Sequence, residues 1–571
     1  MEHKGFVVML GIITVLGLTG VYFYEEDGAL PSAPDFPQRL VREITQEIGL
    51  NQVPSYERDR PAPEPVQTVK GFGVSAVHPL AVEVGMDVLE DGGNAVDAAV
   101  AVSYALAVVE PYSSGPGGGG AMVLAGPDQK PVAYDYREVV PRSGEISFSK
   151  VGVPGFVRGM EQVHARHGNL KMAELIDPAI RLAEDGFEID KAFFNQLLGG
   201  RWRLPYEQLK HFYPVYEPID PGTLLKQPEL AETLRTIRDG GAEAFYEGPI
   251  AEAIASQVEG MTPRDLARYK MRRLEPSTGT FRGHQVLSSP PPTAGPMVVQ
   301  ALQMLEARNL DRLQVGSAQY RHLIAQAYRH ANAQRLNLIG DPAFADVDMD
   351  RLTSPRYTRR LASKIDPDGF AKVTEDTVFS LQERQETDTT QIVVFDADGM
   401  MVSMTNTISN FFGSGLYVDG FFLNDQLKNF SEDEDSPNLP APGKRPRSFI
   451  APTMVLTEGG EPVLGIGTPG GRRIPLMVVE VIADWLDRKV PLAEVVAAPR
   501  FHLEGHKLEL EEEIPDEVVE SLQRRDYTVE VFQEIPTYYG AIQALAVDYD
   551  KDELYGVADE RRGGAWKVGT P

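Results

Sequence analysis

Cysteine is absent from this chain of 571 residues, and with it go thiol nucleophiles, disulfides and thiolate-bound metals. Covalent chemistry, if there is any, must start from oxygen or nitrogen. Positive charge is scarce as well: 55 lysines and arginines face 83 aspartates and glutamates, a formal net charge of −28. Such a field repels nucleic acid and anionic lipid, so polyanions are excluded as partners apart from some local basic pocket. No Gly-x-Ser-x-Gly elbow marks an α/β-type serine hydrolase, and no His-Glu-x-x-His marks a zinc peptidase. The spaced pairs His164/His167 and His502/His506 therefore read as ordinary surface residues, and neither a metal nor an organic cofactor is expected.

Length and apolar content suffice for one large core or two to three ordinary ones. Gly5 to Tyr24 run without a charge, between Lys4 and the acidic Glu25-Glu26-Asp27. That run is long enough to span a bilayer, and its positive flank keeps the N-terminus cytoplasmic. It ends in Tyr22-Phe23-Tyr24 without a small-residue cleavage site, so residues 1–24 read as an uncleaved anchor in preference to a removed signal peptide. Proline-bearing residues 25–66 read as a tether, and the body would stand outside the cytoplasm, periplasmic or extracellular.

Within the body, Pro79 to Leu89, the alanine-rich Asn94 to Val109, and Gln319 to Leu338 carry helical spacing. Gln391 to Phe395, the turn Asp396-Ala397-Asp398-Gly399, and Met401 to Thr407 predict a hairpin. Pro452 to Leu456 and Pro462 to Gly467 around Gly459-Gly460 predict another. Gly115-Pro116-Gly117-Gly118-Gly119-Gly120 matches Gly-x-Gly-x-x-Gly formally, but it follows a helix, and a tight packing loop is the better reading. Asp366 to Asp388 reads as an exposed loop that ends at Thr389-Thr390. A threonine that becomes a chain's first residue holds a hydroxyl nucleophile beside its own base, the α-amino group. An edge strand beginning Thr-Thr is the plainer alternative.

The ordered motifs decide between them. Gly92-Gly93-Asn94-Ala95-Val96-Asp97, Val109-Glu110-Pro111, Ser113-Ser114-Gly115, Asp135-Tyr136-Arg137-Glu138, Gly152-Val153-Pro154-Gly155, Pro290-Pro291-Pro292, Gly340-Asp341-Pro342, Phe412-Gly413-Ser414-Gly415, Lys444-Arg445-Pro446, Pro452-Thr453 and Pro469-Gly470-Gly471 follow one another in sequence. Over residues 67–571 the chain resembles the γ-glutamyltransferase family of N-terminal-nucleophile hydrolases. The resemblance implies an α+β fold, a four-layer αββα sandwich, made as one precursor that cuts itself between Asp388 and Thr389. A large fragment 1–388, with 67–388 as its body, and a small fragment 389–571 would then stay associated as large and small subunits.

By the same resemblance Thr389 is the nucleophile, Thr407 bonds its hydroxyl, and the backbone of Gly470-Gly471 forms the oxyanion hole. Gln426, Asn429, Ser409, Ser448 and Arg445 would meet the substrate, a small γ-glutamyl donor whose acyl group passes to water or an amine. Several positions depart from the family pattern: Ala125 for the carboxylate-binding arginine, Phe449 for the second serine of a pair, Asn429 for aspartate, Ser409 for asparagine, Gln391 for histidine and Pro296 for glycine. Arg445 or Arg562 could substitute as carboxylate partner. Three readings stay open: a glutathione-type γ-glutamyltransferase; a relative with shifted acyl specificity, such as a poly-γ-glutamate depolymerase or β-lactam acylase; and an unprocessed binding module.

Overall fold

Period-two apolar patterning on both sides of Asp396-Ala397-Asp398-Gly399 produces two long antiparallel strands, Thr387–Phe395 and Met401–Asn410, paired from Met401↔Phe395 onward. The computed structural model describes residues 69–570 except 128, 202–203, 371–386 and 533–535, with backbone only for Thr387, Asp388, Pro536 and Thr537. The expected anchor and tether, residues 1–66, and most of the loop 366–388 lie outside the described residues. Thr387 and Asp388, expected in a loop, instead extend the strand by pairing with Asn410 and Ser409.

A seven-stranded sheet runs edge to edge through Ala565–Gly569, Phe72–Ala76, Thr387–Phe395, Met401–Asn410, Gly119–Gly126, Gln129–Asp135 and Arg272–Leu274. A six-stranded sheet runs through Glu553–Ala558, Gln543–Asp548, Pro462–Gly467, Thr453–Leu456, His284–Ser288 and Ser277–Phe281. The sheets face each other: Thr387–Phe395 packs on Pro462–Gly467 and Gln543–Asp548, and Met401–Asn410 packs on Pro462–Gly467. Val393, Phe395, Met401, Met454 and Leu545 fill the space between them. On the outer side of the larger sheet lie helices Pro79–Glu90 and Ala95–Val109; outside the smaller sheet lie Gly295–Ala307 and Ile474–Arg488. Helix, sheet, sheet and helix thus form four layers with three apolar interiors. Among the described residues no helix is long and apolar enough to cross a membrane.

The Gly92-to-Asp97 motif has a mechanical role. Asn94 Oδ1 accepts from the Val96 and Asp97 amides, and Asp97 Oδ2 accepts from the Asn94 amide, a capping box that starts the all-buried helix Ala95–Val109. The Ala95 amide at this N-terminus donates to Asp396 Oδ2 at 2.8 Å. The other oxygen of Asp396 accepts from Asp398 and Met400. One carboxylate therefore ties the first helical layer to the turn of the hairpin that carries Thr389.

Pro296 opens the helix Gly295–Ala307 within its first turn, where a proline's missing N–H leaves no bond unmade. Two surface assignments need correcting. His502 lies in strand Phe501–Glu504, 1% exposed, edge-on to Tyr328; burial in that strand follows from its pairing with Lys507–Leu510, which the lone His-x-x-x-His spacing did not reveal. His164 and His167 are half-buried, one bonded to the Leu170 carbonyl and the other to the Tyr134 hydroxyl at 2.6 Å.

Candidate active site

Pairing of the two hairpin strands shifts between Asn406↔Thr390 and Ser409↔Asp388, so Thr407 and Ile408 together stand opposite Thr389. Such a bulge re-aims side chains. Here it brings Thr389 Oγ1 to 3.3 Å from Thr407 Oγ1, donating to it, with Thr389 only 4% exposed. Thr407 Oγ1 also accepts from the Ser409 amide at 2.8 Å, and Ser409 itself takes a positive φ of 83°. Ile408, the extra residue, has its amide taken by the Ser113 carbonyl and its carbonyl by the Asp425 amide. The threonine pair is thus fixed by backbone from three directions.

Beneath it, Gln391 is fully buried. Its Oε1 accepts from Thr405 Oγ1 at 2.6 Å, and its amide donates to Ser403 Oγ and the Ile392 carbonyl. This saturated network occupies the place where the resemblance expected histidine. It supplies hydrogen bonds but no titrating group.

Gly471–Arg473 forms a short 3-10 turn that leads into helix Ile474–Arg488 and neighbours the strand that carries Thr389. Gly470 enters it at φ 138°, a conformation that L side chains rarely adopt, and a Cβ there would lie 2.7 Å from Met477 Cε. The Gly470-Gly471 backbone is consequently bare. The glycine run after Gly115 serves a similar end: a Cβ on Gly118 would stand 2.3 Å from the Thr407 carbonyl, so the strand beginning at Gly119 can lie directly against the bulge. The expected loop is correct for Gly115 to Gly118, while Gly119 and Gly120 already belong to that strand.

Recognition residues are less uniformly placed. Gln426 is 1% exposed, and its Nε2 has no hydrogen-bond partner among the described residues. Its loop is anchored by Asn424, whose amide bonds the Gly117 and Gly152 carbonyls and whose Oδ1 accepts from Gly152 and Gln426. Asn429, half-buried at the end of the same turn, offers its carbonyl to Asn438. Ser448 is buried, its amide on the Pro292 carbonyl and its Oγ accepting from Ile450. Phe449 is the platform for Arg335, whose guanidinium carbon sits 3.8 Å above the ring.

Arg445 points inward, to Asp135 Oδ1 at 3.3 Å, the Tyr269 hydroxyl and the Lys270 carbonyl, while its amide bonds Asp341. Arg562 sits in the turn Glu560–Arg562, near enough for its charge to oppose that of Arg473.

The position read as the missing carboxylate arginine requires correction. Ala125 pairs with Met401 at the far end of its strand, in the interior between the sheets, whereas Gly119 pairs with Thr407. Six residues of strand separate the two, roughly 20 Å. No side chain at 125 reaches the threonines, so alanine there says nothing about substrate.

The cation that does flank this corner is Arg137, whose Cα lies 2.8 Å from the place a Gly119 Cβ would take. It is fully buried, held by both oxygens of Asp135 and by the Pro446 carbonyl. Burial acts to raise the Asp135 carboxyl, but Arg137 and Arg445 outweigh it and hold the group down at about 2. Next to it, Glu138 is buried with neither carboxyl oxygen hydrogen-bonded among the described residues, and burial pushes it up to about 8. A neutral glutamic acid therefore stands beside a charged pair. The sequence held the signal, three ionisable residues at the end of a buried strand, but the resemblance drew attention elsewhere.

The family pattern described as gamma-glutamyltranspeptidase matches residues 81–568. The capsule biosynthesis protein CapD proenzyme of Bacillus anthracis is 39% identical over 496 residues, 87% of this chain and 90% of the relative. The glutathione hydrolase proenzyme of Escherichia coli K12 is 33% identical over 546 residues, 89% of this chain and 93% of the relative. In fold, a crystal structure of cephalosporin acylase from Bacillus halodurans superimposes with a TM-score of 0.78 at 24% identity, covering 89% of this chain and 98% of that one.

Proposed function

Because the chain belongs to the gamma-glutamyltranspeptidase family of N-terminal-nucleophile enzymes, we propose that it cuts itself before Thr389 and then cleaves γ-glutamyl amide bonds, passing the acyl group to water or an amine. The observation that carries this is the Thr389–Thr407 hydroxyl contact at the bulge, next to the bare Gly470-Gly471 turn.

In the intact chain the Thr389 nitrogen is an amide, and Thr407 Oγ1 accepts the Thr389 hydroxyl proton in a hydrogen bond. Attack of Oγ1 on the Asp388 carbonyl moves the acyl group from nitrogen to oxygen, and water hydrolyses the ester. The products are a carboxylate at Asp388 and a free amine at Thr389. In the mature enzyme that amine takes the hydroxyl proton as Oγ1 attacks the donor's amide carbon. The Gly470-Gly471 amides face the resulting oxyanion, the leaving amine departs with the proton, and water or a second amine releases the acyl group.

The spare amide of Gln426 supports recognition of a polar donor, joined in this reading by Asn429, Ser409 and Ser448. A large fragment 1–388, whose body is 67–388, and a small fragment 389–571 are its subunits. The apolar run 5–24 supports an anchor holding the body outside the cytoplasm.

A shifted acyl specificity is the second reading. It is favoured by Phe449, occupied by Arg335 where a hydroxyl was expected, and by the neutral Asn429. Intact-mass analysis of wild type beside Thr389→Ala tests the proposal: two fragments from the first, the smaller beginning at Thr389, and one chain from the second are expected. An uncut, folded wild type would sink it. Chromophore release from a γ-glutamyl anilide separates the two acyl specificities.

A further inference from the structure

A cavity of about 320 Å³ opens beside the Arg445 cluster; of the residues expected at the active site only Arg445 lines it, and Thr389, Thr407, Gly470, Gly471 and Gln426 do not. Its lining is unusual for a chain of charge −28, since Arg142, Arg268, Lys270, Arg272 and Arg445 all contribute. Two of the five are neutralised: Arg272 pairs with Asp341, and Arg445 with Asp135. Arg142, Arg268 and Lys270 have no ion-pair partner among the described residues.

Asp265 is the one acidic lining residue, and its charge is spent locally. Its Oδ1 accepts from the Arg142 amide and its Oδ2 from the amide and hydroxyl of Thr262, closing the cap of helix Pro263–Ala267. Three exposed cations therefore surround a concave space whose buried wall is the paired Arg445, and an anion bound among them would relieve their mutual repulsion. The volume is ample for an ordinary small ligand, and a single halide would leave most of it empty.

We propose that this cavity binds a small multivalent oxyanion, a polycarboxylate or polyphosphate, at a site separate from the threonine centre. Guanidinium groups match both carboxylate and phosphate oxygens in paired geometry. Each cation of the rim supplies a charge-assisted bond, so affinity depends steeply on the number of negative charges the ligand carries.

Calorimetric titration of the full chain at constant ionic strength with citrate, pyrophosphate and acetate tests this. One saturable site per chain for citrate or pyrophosphate is expected, with acetate far weaker; tighter pyrophosphate assigns the site to phosphates and tighter citrate to carboxylates. The exposed double variant Arg268→Glu/Lys270→Glu is expected to bind about 100-fold more weakly, with Arg142→Glu as an independent second lesion. Anilide hydrolysis by these variants reports that the threonine site is intact. Absence of saturable binding tighter than about 10 mM for both multivalent anions, or undiminished affinity in both variants, would overturn the proposal.

Discussion

The reacting half of the site and its recognising half are built from different material. Thr389, Thr407 and Gly470-Gly471 are set mainly by backbone: strand register, a bulge, and a turn next to the strand that carries Thr389. Asn429, Ser448 and Phe449 sit on connections outside the two main sheets, held by side-chain bonds that neighbouring residues can replace. A sequence can therefore keep its chemistry while its selectivity drifts, because changing a loop side chain leaves the bulge untouched.

The largest test of that division is Thr389→Ala, expected to abolish both chain cutting and turnover, while Thr389→Ser keeps both in reduced form; mass analysis and anilide assays check it. Thr407→Ala should lower kcat by about 100-fold with KM little changed, and a fall in affinity instead would move Thr407 into the recognising half. In the other half, Phe449→Ser and Asn429→Asp should each lower KM for a γ-glutamyl anilide by about tenfold, one charge-assisted bond apiece, with kcat held.

Stability against pH sharpens the comparison further. Glu138 keeps its proton in the fold up to about 8, whereas unfolded it ionises in the ordinary carboxyl range. Its contribution is therefore complete below that range and is lost as pH rises toward 8, by about 1.4 kcal/mol per pH unit at most. Asp135, held at about 2, works oppositely, its contribution present above the ordinary range and lost on acidification through 2. Glu138→Gln should flatten the decline in denaturant midpoint between the ordinary carboxyl range and about 8 without altering the acid limb. An unchanged decline over that window would place the titrating group elsewhere.

Both hairpins and the three helices were legible from period and turn residues, and structure places them within a residue or two at most ends. The strands of the first hairpin were the exceptions, Thr387–Phe395 starting four residues before Gln391 and Met401–Asn410 running three past Thr407, because a bulge continues pairing where alternation lapses. Thr389, Thr407 and the glycine pair, singled out through their motifs, lie on neighbouring elements, the two threonines in direct contact. Arg137 and Glu138 stood in plain view yet gained no role, since nothing in a linear pattern tells that Gly119 pairs with Thr407. The misplacement of Ala125 has the same origin: position along a strand was inferred from order, while distance from the site depends on register.

Strand order carries one more implication. Phe72–Ala76 lies between Ala565–Gly569 and Thr387–Phe395, and Met401–Asn410 lies between Thr387–Phe395 and Gly119–Gly126. A cut before Thr389 would leave each product threaded into sheets completed by the other, like the teeth of a closed zip. Separating them would mean melting both sheets, so the nicked protein should unfold in one transition that couples melting to dissociation, its midpoint falling on dilution.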